Sequence, residues 1–396
     1  MTEVCPSVTD EQRNFCYTAH MIIAEIGTAH SASLKKAKQL IDAAASAGAD
    51  AVKFQWVYAD ELLHPDTGTV DLPCGSIRLY DRFKQLEVAP DFFADALAYA
   101  HKKELQFVCS PFGLRSLREL IAIRPDAIKI ASPELNHFPL LRALADYRTV
   151  QKALGHEPLP VIISSGVSKL RDIENALDML GKENVTLLHC ITSYPAPERE
   201  YNVRLVQTLH DIFGVPCGIS DHSLDPVLVP ACAAACGSVT TEKHITLSKE
   251  TDGLDDAVAL DGEQFAHMVH ALHQCEASMA RYGKKRGAAH ILKELRAQYG
   301  RKKVADVLGT GIKTLATSER ENYGRTNRSL HFMREMKAGE TITEWDIAIL
   351  RTEKILTPGI SPEYFETTLN TRLARDVQAG AGVRWEDIVQ KQYPAG

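Results

Sequence analysis

Two histidines at the ends of neighbouring apolar segments are the residues of this chain best suited to hold a metal ion. His222 and His244 lie at or beside the ends of two such segments. Two imidazoles brought together could share one divalent cation and leave coordination positions open for substrate and water. Such a cation can polarise a carbonyl oxygen as a Lewis acid. The alternative for each histidine alone is an ordinary hydrogen-bonded side chain.

Two lysines, Lys53 and Lys129, each stand inside an otherwise apolar segment. A buried ammonium group without a partner is unfavourable, so these lysines need anions beside them. A phosphate plus a carboxylate would serve, and nearby serine hydroxyls would add hydrogen-bond donors. The serines at segment ends are Ser110, Ser132 and Ser164. These residues predict a pocket for a small, strongly anionic ligand.

Two glutamates, Glu25 and Glu134, could pair with those lysines when the pocket is empty, or could do acid–base work. A carboxylate set among lysines and a metal ion stays ionised and can accept a proton from water or a hydroxyl group. The sequence leaves open which of the two does so.

The elements that must position these side chains are eight short apolar segments, most of them spaced to allow one helix plus loops. The segments are Met21–Gly27, Ala51–Gln55, Gln106–Phe112, Ala127–Pro133, Val161–Gly166, Val185–Cys190, Val215–Asp221 and Ser238–His244. Eight strand-then-helix units predict an α/β fold, a closed (β/α)8 TIM barrel. Active sites gather at the C-terminal rim of such barrels, where the polar side chains fall.

The chain divides into four predicted regions. Residues 1–19 form an N-terminal lead-in, residues 20–282 the barrel, residues 283–327 a linker, and residues 328–396 a small β domain. The linker is expected to hold one helical piece near 291–298 and flexible chain around Gly309 and Gly311. Two long connections, 57–85 and 144–160, interrupt the barrel, and the first could cover the site.

An internal near-repeat marks the last 70 residues. The stretch from Arg334 to Ile347 aligns with the stretch from Arg375 to Ile388 at an offset of 41 residues. Repeats imply two similar units that bury their faces against each other, so a pseudo-symmetric β domain is expected. We expect it to cover and bind, not to do chemistry.

Composition narrows the class of protein. The 396 residues carry 45 Lys and Arg against 51 Asp and Glu, a net charge of −6, which gives no support to a nucleic-acid partner. The nine cysteines form no C-x-x-C pair and are expected to be reduced and mostly buried. The sequence shows neither a signal peptide nor an apolar run of transmembrane length, so we expect a cytoplasmic protein without a membrane partner.

Several short motifs stand at the ends of the predicted strands. They are Ala24-Glu-Ile-Gly27, Gly48-Ala-Asp-Ala-Val-Lys-Phe-Gln55, Ser110-Pro-Phe112, Lys129-Ile-Ala-Ser-Pro-Glu-Leu135, Leu188-His-Cys190 with Tyr194-Pro195, Gly218-Ile-Ser-Asp-His222 and Glu242-Lys-His244. Together they resemble the N-acetylneuraminate (sialic acid) synthase family, which includes legionaminate, pseudaminate and spore-coat polysaccharide synthases. The chain from Asn327-Arg-Ser-Leu330 onward is similar to the antifreeze-like (SAF, β-clip) domain of that family.

The resemblance implies a reaction and a set of roles. Phosphoenolpyruvate would condense with an N-acyl amino hexose, N-acetylmannosamine or a diacetamido trideoxy analogue, to give a nonulosonic acid and phosphate. Mn²⁺, with Mg²⁺ or Co²⁺ as alternatives, would be held by His222 and His244. Phosphoenolpyruvate would be held by Lys53, Ser110, Lys129, Ser132, Ser164 and Ser220. Of the two catalytic candidates, Glu25 and Glu134, the resemblance makes Glu134 the leading acid–base group. Glu25, Tyr194 and Asp255 would contact the sugar or the waters of the metal, and Arg328 would contact the sugar.

The resemblance also implies a domain-swapped homodimer, in which the antifreeze-like domain of one chain covers the barrel of the other and Arg328 reaches the sugar's acyl group. Departures from the family pattern cluster where the sugar should sit, as in Ile191-Thr-Ser193 and Gly253-Leu-Asp-Asp256. The chemistry is therefore expected to be kept while the sugar could be non-standard. Two alternatives stay open: a Schiff-base aldolase with Lys129 or Lys53 as nucleophile, and a catalytically inactive sugar-binding protein.

Overall fold

A closed barrel of parallel strands forms the larger part of the protein, in a computed structural model that describes residues 20–72, 75–250 and 253–388. The barrel strands are β1 (Met21–Gly27), β2 (Ala51–Trp56), β5 (Gln106–Pro111), β6 (Ala127–Ile130), β7 (Val161–Ser164), β8 (Val185–Cys190), β9 (Cys217–Asp221) and β10 (Thr240–His244). Around the barrel their order is β1-β10-β9-β8-β7-β6-β5-β2. All eight predicted strands are confirmed, with shifts of a few residues at some ends.

Helices separate the barrel strands and form its outer layer. They are α1 (Leu34–Ala47), α2 (Ala59–Leu62), α3 (Leu79–Leu86), α4 (Pro90–Lys102), α5 (Leu114–Ala122), α6 (Phe138–Ala153), α7 (Leu170–Leu180), α8 (Leu205–Phe213), α9 (Leu228–Ala235) and α10 (Gly262–Tyr282). The first helix begins at an N-cap serine, Ser33, and ends at Gly48, whose φ of 86° suits a left-handed C-cap. No helix among the described residues is long and apolar enough to cross a membrane.

Three connections differ from the expectation. The stretch 144–160 is not a long loop, because α6 runs to Ala153 and buries Leu140, Leu141 and Leu144. The connection after β2 contains α2, the hairpin β3 (Thr69–Leu72) and β4 (Gly75–Arg78), and α3. The stretch 283–327 is more helical than expected, since α11 (Lys284–Tyr299) and α12 (Arg301–Leu308) occupy its first half.

The C-terminal domain has the internal symmetry that its repeat predicts. An antiparallel pair, β11 (Arg328–Phe332) and β12 (Ile347–Arg351), stands beside a short helix, α13 (Phe365–Thr368). Met336 and Val377, which are equivalent positions of the two repeats, exchange backbone hydrogen bonds. Arg334 binds Asp346 at 2.7 Å and, at the matching positions, Arg375 binds Asp387 at 2.6 Å. The repeats therefore fold as two similar units against each other.

Candidate active site

One layer of polar side chains closes the barrel interior near its C-terminal rim. Below it, the interior is filled by apolar side chains, namely Met21, Ile23, Ala51, Val108, Ala127, Ile162 and Leu188. Side chains that point into a barrel recur every second residue along a strand. Two positions beyond most of these apolar residues stand Glu25, Lys53, Ser110, Lys129, Ser164 and Cys190. Two residues further along most strands, the inward-facing side chains therefore change from apolar to polar, and this polar layer is here called the floor.

Four charged groups form the centre of that floor. The Lys53 Nζ lies 3.0 Å from the Glu25 carboxylate and 3.3 Å from that of Glu242. The Lys129 Nζ lies 2.7 Å from the other oxygen of Glu242. All four side chains are at most 5% exposed, so each ammonium group is desolvated and needs its carboxylate. Two positive and two negative groups sum to zero charge.

The pKa directions of these groups follow from burial and pairing. Burial opposes charge at Glu242, but Lys129 and Lys53 outweigh it and hold the pKa of Glu242 well below its usual range. Burial also opposes charge at Lys53, yet Glu242 and Glu25 raise its pKa. At Lys129 burial wins and lowers the pKa, and at Glu25 burial wins and raises it. Glu25 and Lys129 are therefore the members of the cluster that give up their charge most readily.

Hydroxyl groups without protein partners surround the charged floor. The Oγ atoms of Ser110 and Ser164 are buried and make no hydrogen bond within the described protein. The Ser132 Oγ accepts from the Gly166 N–H at 3.0 Å, and the Ser220 Oγ donates to Glu242 at 2.9 Å. Buried polar atoms are normally paired, so two orphaned hydroxyl groups aimed into a cavity are a signal of a polar ligand. The cavity above them measures about 360 Å³.

The two predicted metal ligands face each other on this cavity. The rings of His222 and His244 have centroids 5.4 Å apart, and Tyr194 packs on His222 at 4.2 Å. The Nδ1 of His222 is 2.8 Å from the Ile191 carbonyl; donating there leaves Nε2 with its lone pair. Asp255 lies 3.9 Å from His244, and burial raises its pKa to about 6 although His222 opposes the rise.

These donors fit a divalent cation in their chemistry. Two neutral imidazoles are available, because burial lowers the pKa of both His222 and His244. Among the described residues, however, no set of three or more His, Cys, Asp or Glu side chains is already arranged around one point. A cation there would thus take two protein nitrogens and complete its coordination from substrate, water or a moved carboxylate.

Two predicted site residues, Glu134 and Arg328, are not brought into the cavity. The Glu134 carboxylate is fully buried and accepts from Arg328 at 2.6 Å and from Arg351 at 2.8 and 3.1 Å. Burial favours its neutral form, but the two guanidinium groups lower the pKa of Glu134 overall. The remaining donors of Arg328 go to the backbone carbonyls of Glu61, Phe112 and Ile349 of its own chain. Both residues join the two domains instead of facing the ligand space.

The structure also adds residues that the sequence did not single out. Glu242 binds both Lys53 and Lys129. The sequence could have indicated this, because Glu242 lies two residues before His244 on β10 and therefore faces the same side of the strand. Gln55 donates to Glu25 at 2.7 Å. Asn322, Thr326, Arg351, Glu353 and Lys354 line the cavity from the C-terminal part of the chain. No local sequence pattern predicts that these five residues line the cavity, because only the tertiary fold brings them to the barrel.

A (β/α)8 barrel with a charged polar floor, partly closed by a small β domain, defines a class: two-domain barrel enzymes that act on a small anionic ligand. Comparison with known proteins is more specific. The sequence model of the NeuB family matches residues 40–284, and that of the SAF domain matches residues 327–389. The chain therefore belongs to the NeuB family.

Individual relatives cover nearly the whole chain. It is 31% identical over 379 residues to the spore coat polysaccharide biosynthesis protein SpsE of Bacillus subtilis, covering 94% of each chain. It is 29% identical over 378 residues to N,N'-diacetyllegionaminic acid synthase of Legionella pneumophila, covering 93% of this chain and 94% of that one. The crystal structure of the Bacillus subtilis SpsE superposes with a TM-score of 0.73 at 28% identity, covering 94% and 96%.

Proposed function

We propose that this protein condenses phosphoenolpyruvate with an N-acyl amino hexose, N-acetylmannosamine or a diacetamido trideoxy analogue, to give a nonulosonic acid and inorganic phosphate. The observation that carries the proposal is the charged floor: Lys53 and Lys129 beside the unpartnered hydroxyl groups of Ser110 and Ser164. A small ligand with a carboxylate and a phosphate matches two ammonium groups and several hydroxyl donors. The relatives named as synthases support the same class of reaction.

Phosphoenolpyruvate would enter by exchange with the resident carboxylates. Lys53 and Lys129 are neutralised by Glu25 and Glu242, so the floor carries no surplus positive charge. An anionic substrate would therefore take over one or both lysines, and Glu25, whose pKa burial already raises, is the carboxylate best able to yield. Ser132 and Ser220 would add donors at the edge of the bound ligand.

A divalent ion held by His222 and His244, with Mn²⁺ proposed and Mg²⁺ or Co²⁺ as alternatives, would supply Lewis acidity toward the open-chain aldehyde of the sugar. The neutral state of both imidazoles supports this assignment. Carbon 3 of phosphoenolpyruvate would then form a bond to the aldehyde carbon, and water would add at carbon 2. The bond from carbon 2 to the phosphate oxygen would break, releasing phosphate and leaving the 2-keto acid.

For acid–base work we assign Glu25 in preference to Glu134. Glu25 lines the cavity and is bound by one lysine and one amide, whereas both oxygens of Glu134 are occupied by arginines. Glu25 is placed to accept the proton lost by the attacking water. Tyr194 and Asp255 line the sugar side of the cavity and would orient the acceptor.

Phosphate release tests the reaction. Purified protein with Mn²⁺ and phosphoenolpyruvate is expected to release phosphate with N-acetylmannosamine or a diacetamido trideoxy hexose, and much less with mannose. EDTA and His244→Ala should each abolish release, whereas His270→Ala, at an exposed position on α10, should not. Failure of every N-acyl amino sugar would favour the alternative of an inactive sugar-binding protein.

One observation favours the Schiff-base aldolase as a second candidate. Burial lowers the pKa of Lys129, and a lysine must lose its proton to attack a carbonyl. Against it, the ammonium group lies 2.7 Å from Glu242, which favours the charged form. Borohydride with pyruvate separates the two: the synthase forms no adduct, whereas an aldolase would be trapped covalently at the lysine.

We also propose that the protein works as a homodimer, as the family resemblance implied, and that it is cytoplasmic. Nearly all of the described cysteines are buried, in keeping with a reducing compartment. Within this single chain the SAF domain already lies over its own barrel, through Arg328 and Glu134. A domain swap would thus make the same contacts between two chains, and it stays a prediction that a cross-link can decide.

A further inference from the structure

The segment 313–327, here called the strap, crosses the C-terminal ends of β7 and β8 before the chain enters the SAF domain. The Lys313 Nζ donates to the Ser165 carbonyl at 2.8 Å. Glu319 is 1% exposed and accepts from two backbone N–H groups, those of Val167 at 2.9 Å and Thr192 at 3.2 Å. One carboxylate therefore ties the loop after β7 to the loop after β8.

The loop after β7 contains a strained residue that the strap holds from both sides. Val167 has a φ of 40°, in the left-handed region that a β-branched residue rarely adopts. Its N–H donates to Glu319, and its carbonyl accepts from the Asn327 amide at 3.2 Å. Strain of this kind persists only where the surroundings over-determine the backbone, and Glu319 and Asn327 supply that determination.

Val167 directly follows Gly166, which contacts a serine of the proposed phosphoenolpyruvate pocket. The Gly166 N–H donates to Ser132 Oγ, and Ser164, with its unpartnered hydroxyl, lies two residues before Gly166. A Cβ at Gly166 would overlap Thr192 Oγ1 and come within 2.9 Å of Ser132 Oγ, so the two loops and the serine are in close contact. A change in the conformation of Val167 would move Gly166 and open this contact.

We propose that Glu319 is a positioning residue: it holds Val167 in the left-handed conformation and so sets the places of Ser132 and Ser164 in the phosphoenolpyruvate pocket. The inference rests on the proposed function only for the identity of the ligand. The constraint on Val167 is a property of the chain alone and can be measured without turnover.

The test uses Glu319→Ala, Val167→Gly and the double variant, with Glu321→Ala, an exposed glutamate of the same strap, as the matched control. Glu319→Ala should raise the KM for phosphoenolpyruvate on the order of tenfold or more, because a displaced loop misplaces the serines, and should lower kcat less. Glycine accepts positive φ without strain, so the double variant should recover most of that loss. A purely structural role for Glu319 would give no such recovery.

Hydrogen exchange gives a readout that does not depend on activity. In Glu319→Ala the amide of Val167 should exchange at least tenfold faster than in the wild type, and in Glu321→Ala it should not change. Unchanged protection of Val167, or a double variant as impaired as Glu319→Ala, would overturn the inference. If wild-type protein releases no phosphate but Val167 loses protection in Glu319→Ala, the proposed function fails while the constraint stands.

Discussion

Glu134 and Glu25 show how neighbouring residues give the same type of side chain different roles. Both are buried carboxylates near the ends of barrel strands; the residues alone left the choice between them open, and the family resemblance favoured Glu134. Arginines from the SAF domain lower the pKa of Glu134, while burial raises that of Glu25 despite Lys53. The difference depends on Arg328 and Arg351, which lie about 200 residues further along the chain. Sequence spacing carries no trace of such a contact.

At this scale we predict that Glu134→Gln is a stability variant. It leaves the fully buried Arg328 guanidinium without its anion, and breaking a buried pair in this way costs on the order of 3 kcal/mol. Urea unfolding of the variant should show that loss relative to wild type, and Glu344→Gln, at an exposed position, should show almost none. Wild-type stability with a large fall in kcat would instead return Glu134 to an acid–base role.

Among the elements, the barrel strands were predictable and the connections were less so. An apolar run that ends in polar residues predicts a strand such as β6, and Lys129 could be placed at the rim from that run alone. Helix α6 was missed because its hydrophobic face is narrow: Leu140, Leu141 and Leu144 are followed by a largely polar turn. The strap was predicted only as the end of a linker, because its order comes from contacts with the loops after β7 and β8 and not from its own pattern.

Strand β11 allows a pH test of the C-terminal domain. His331 is buried there and donates from Nδ1 to the Gly380 carbonyl at 2.9 Å, and burial lowers its pKa from 6.5 to about 4. The folded state binds this proton less well than the unfolded state does. Its contribution to stability is therefore complete above pH 6.5 and is lost as the pH falls from 6.5 toward 4.

The expected effect is a change in slope. Over that window the wild type should lose up to about 1.4 kcal/mol per pH unit through His331, and His331→Gln should lack this part of the dependence. Urea midpoints between pH 7.5 and 5, followed by tryptophan fluorescence, measure it. His270→Gln, on the exposed side of α10, serves as the control. Equal slopes in wild type and His331→Gln would contradict the assignment.

For the whole molecule, the position of the SAF domain is the feature that decides how the site is closed. Thr67, in the connection after β2, donates from Oγ1 to the Thr352 carbonyl at 2.8 Å, and both residues are fully buried. Arg351, the residue before Thr352, lines the cavity. The contact that docks the SAF domain on the barrel therefore also places Arg351 at the cavity.

A disulfide between Thr67→Cys and Thr352→Cys tests which chain provides the domain. As the contact stands in the structure, oxidation should join the two cysteines within one chain, which leaves a monomer with two fewer free thiols on a non-reducing gel, and each single variant should keep its added thiol. A covalent dimer would instead show that two chains exchange their SAF domains, as the family resemblance implied. Size-exclusion chromatography of the same samples reports whether the native protein is a dimer in either case.

The self-neutralised floor made by Lys53, Glu25, Lys129 and Glu242 has a consequence for turnover. Because these four groups neutralise one another, other anions of the cell would gain little by binding there. In the proposed reaction the departing phosphate would meet the same competition, since Glu25 and Glu242 would pair again with the ammonium groups that it leaves. The two carboxylates would thus act as an internal displacer of the product.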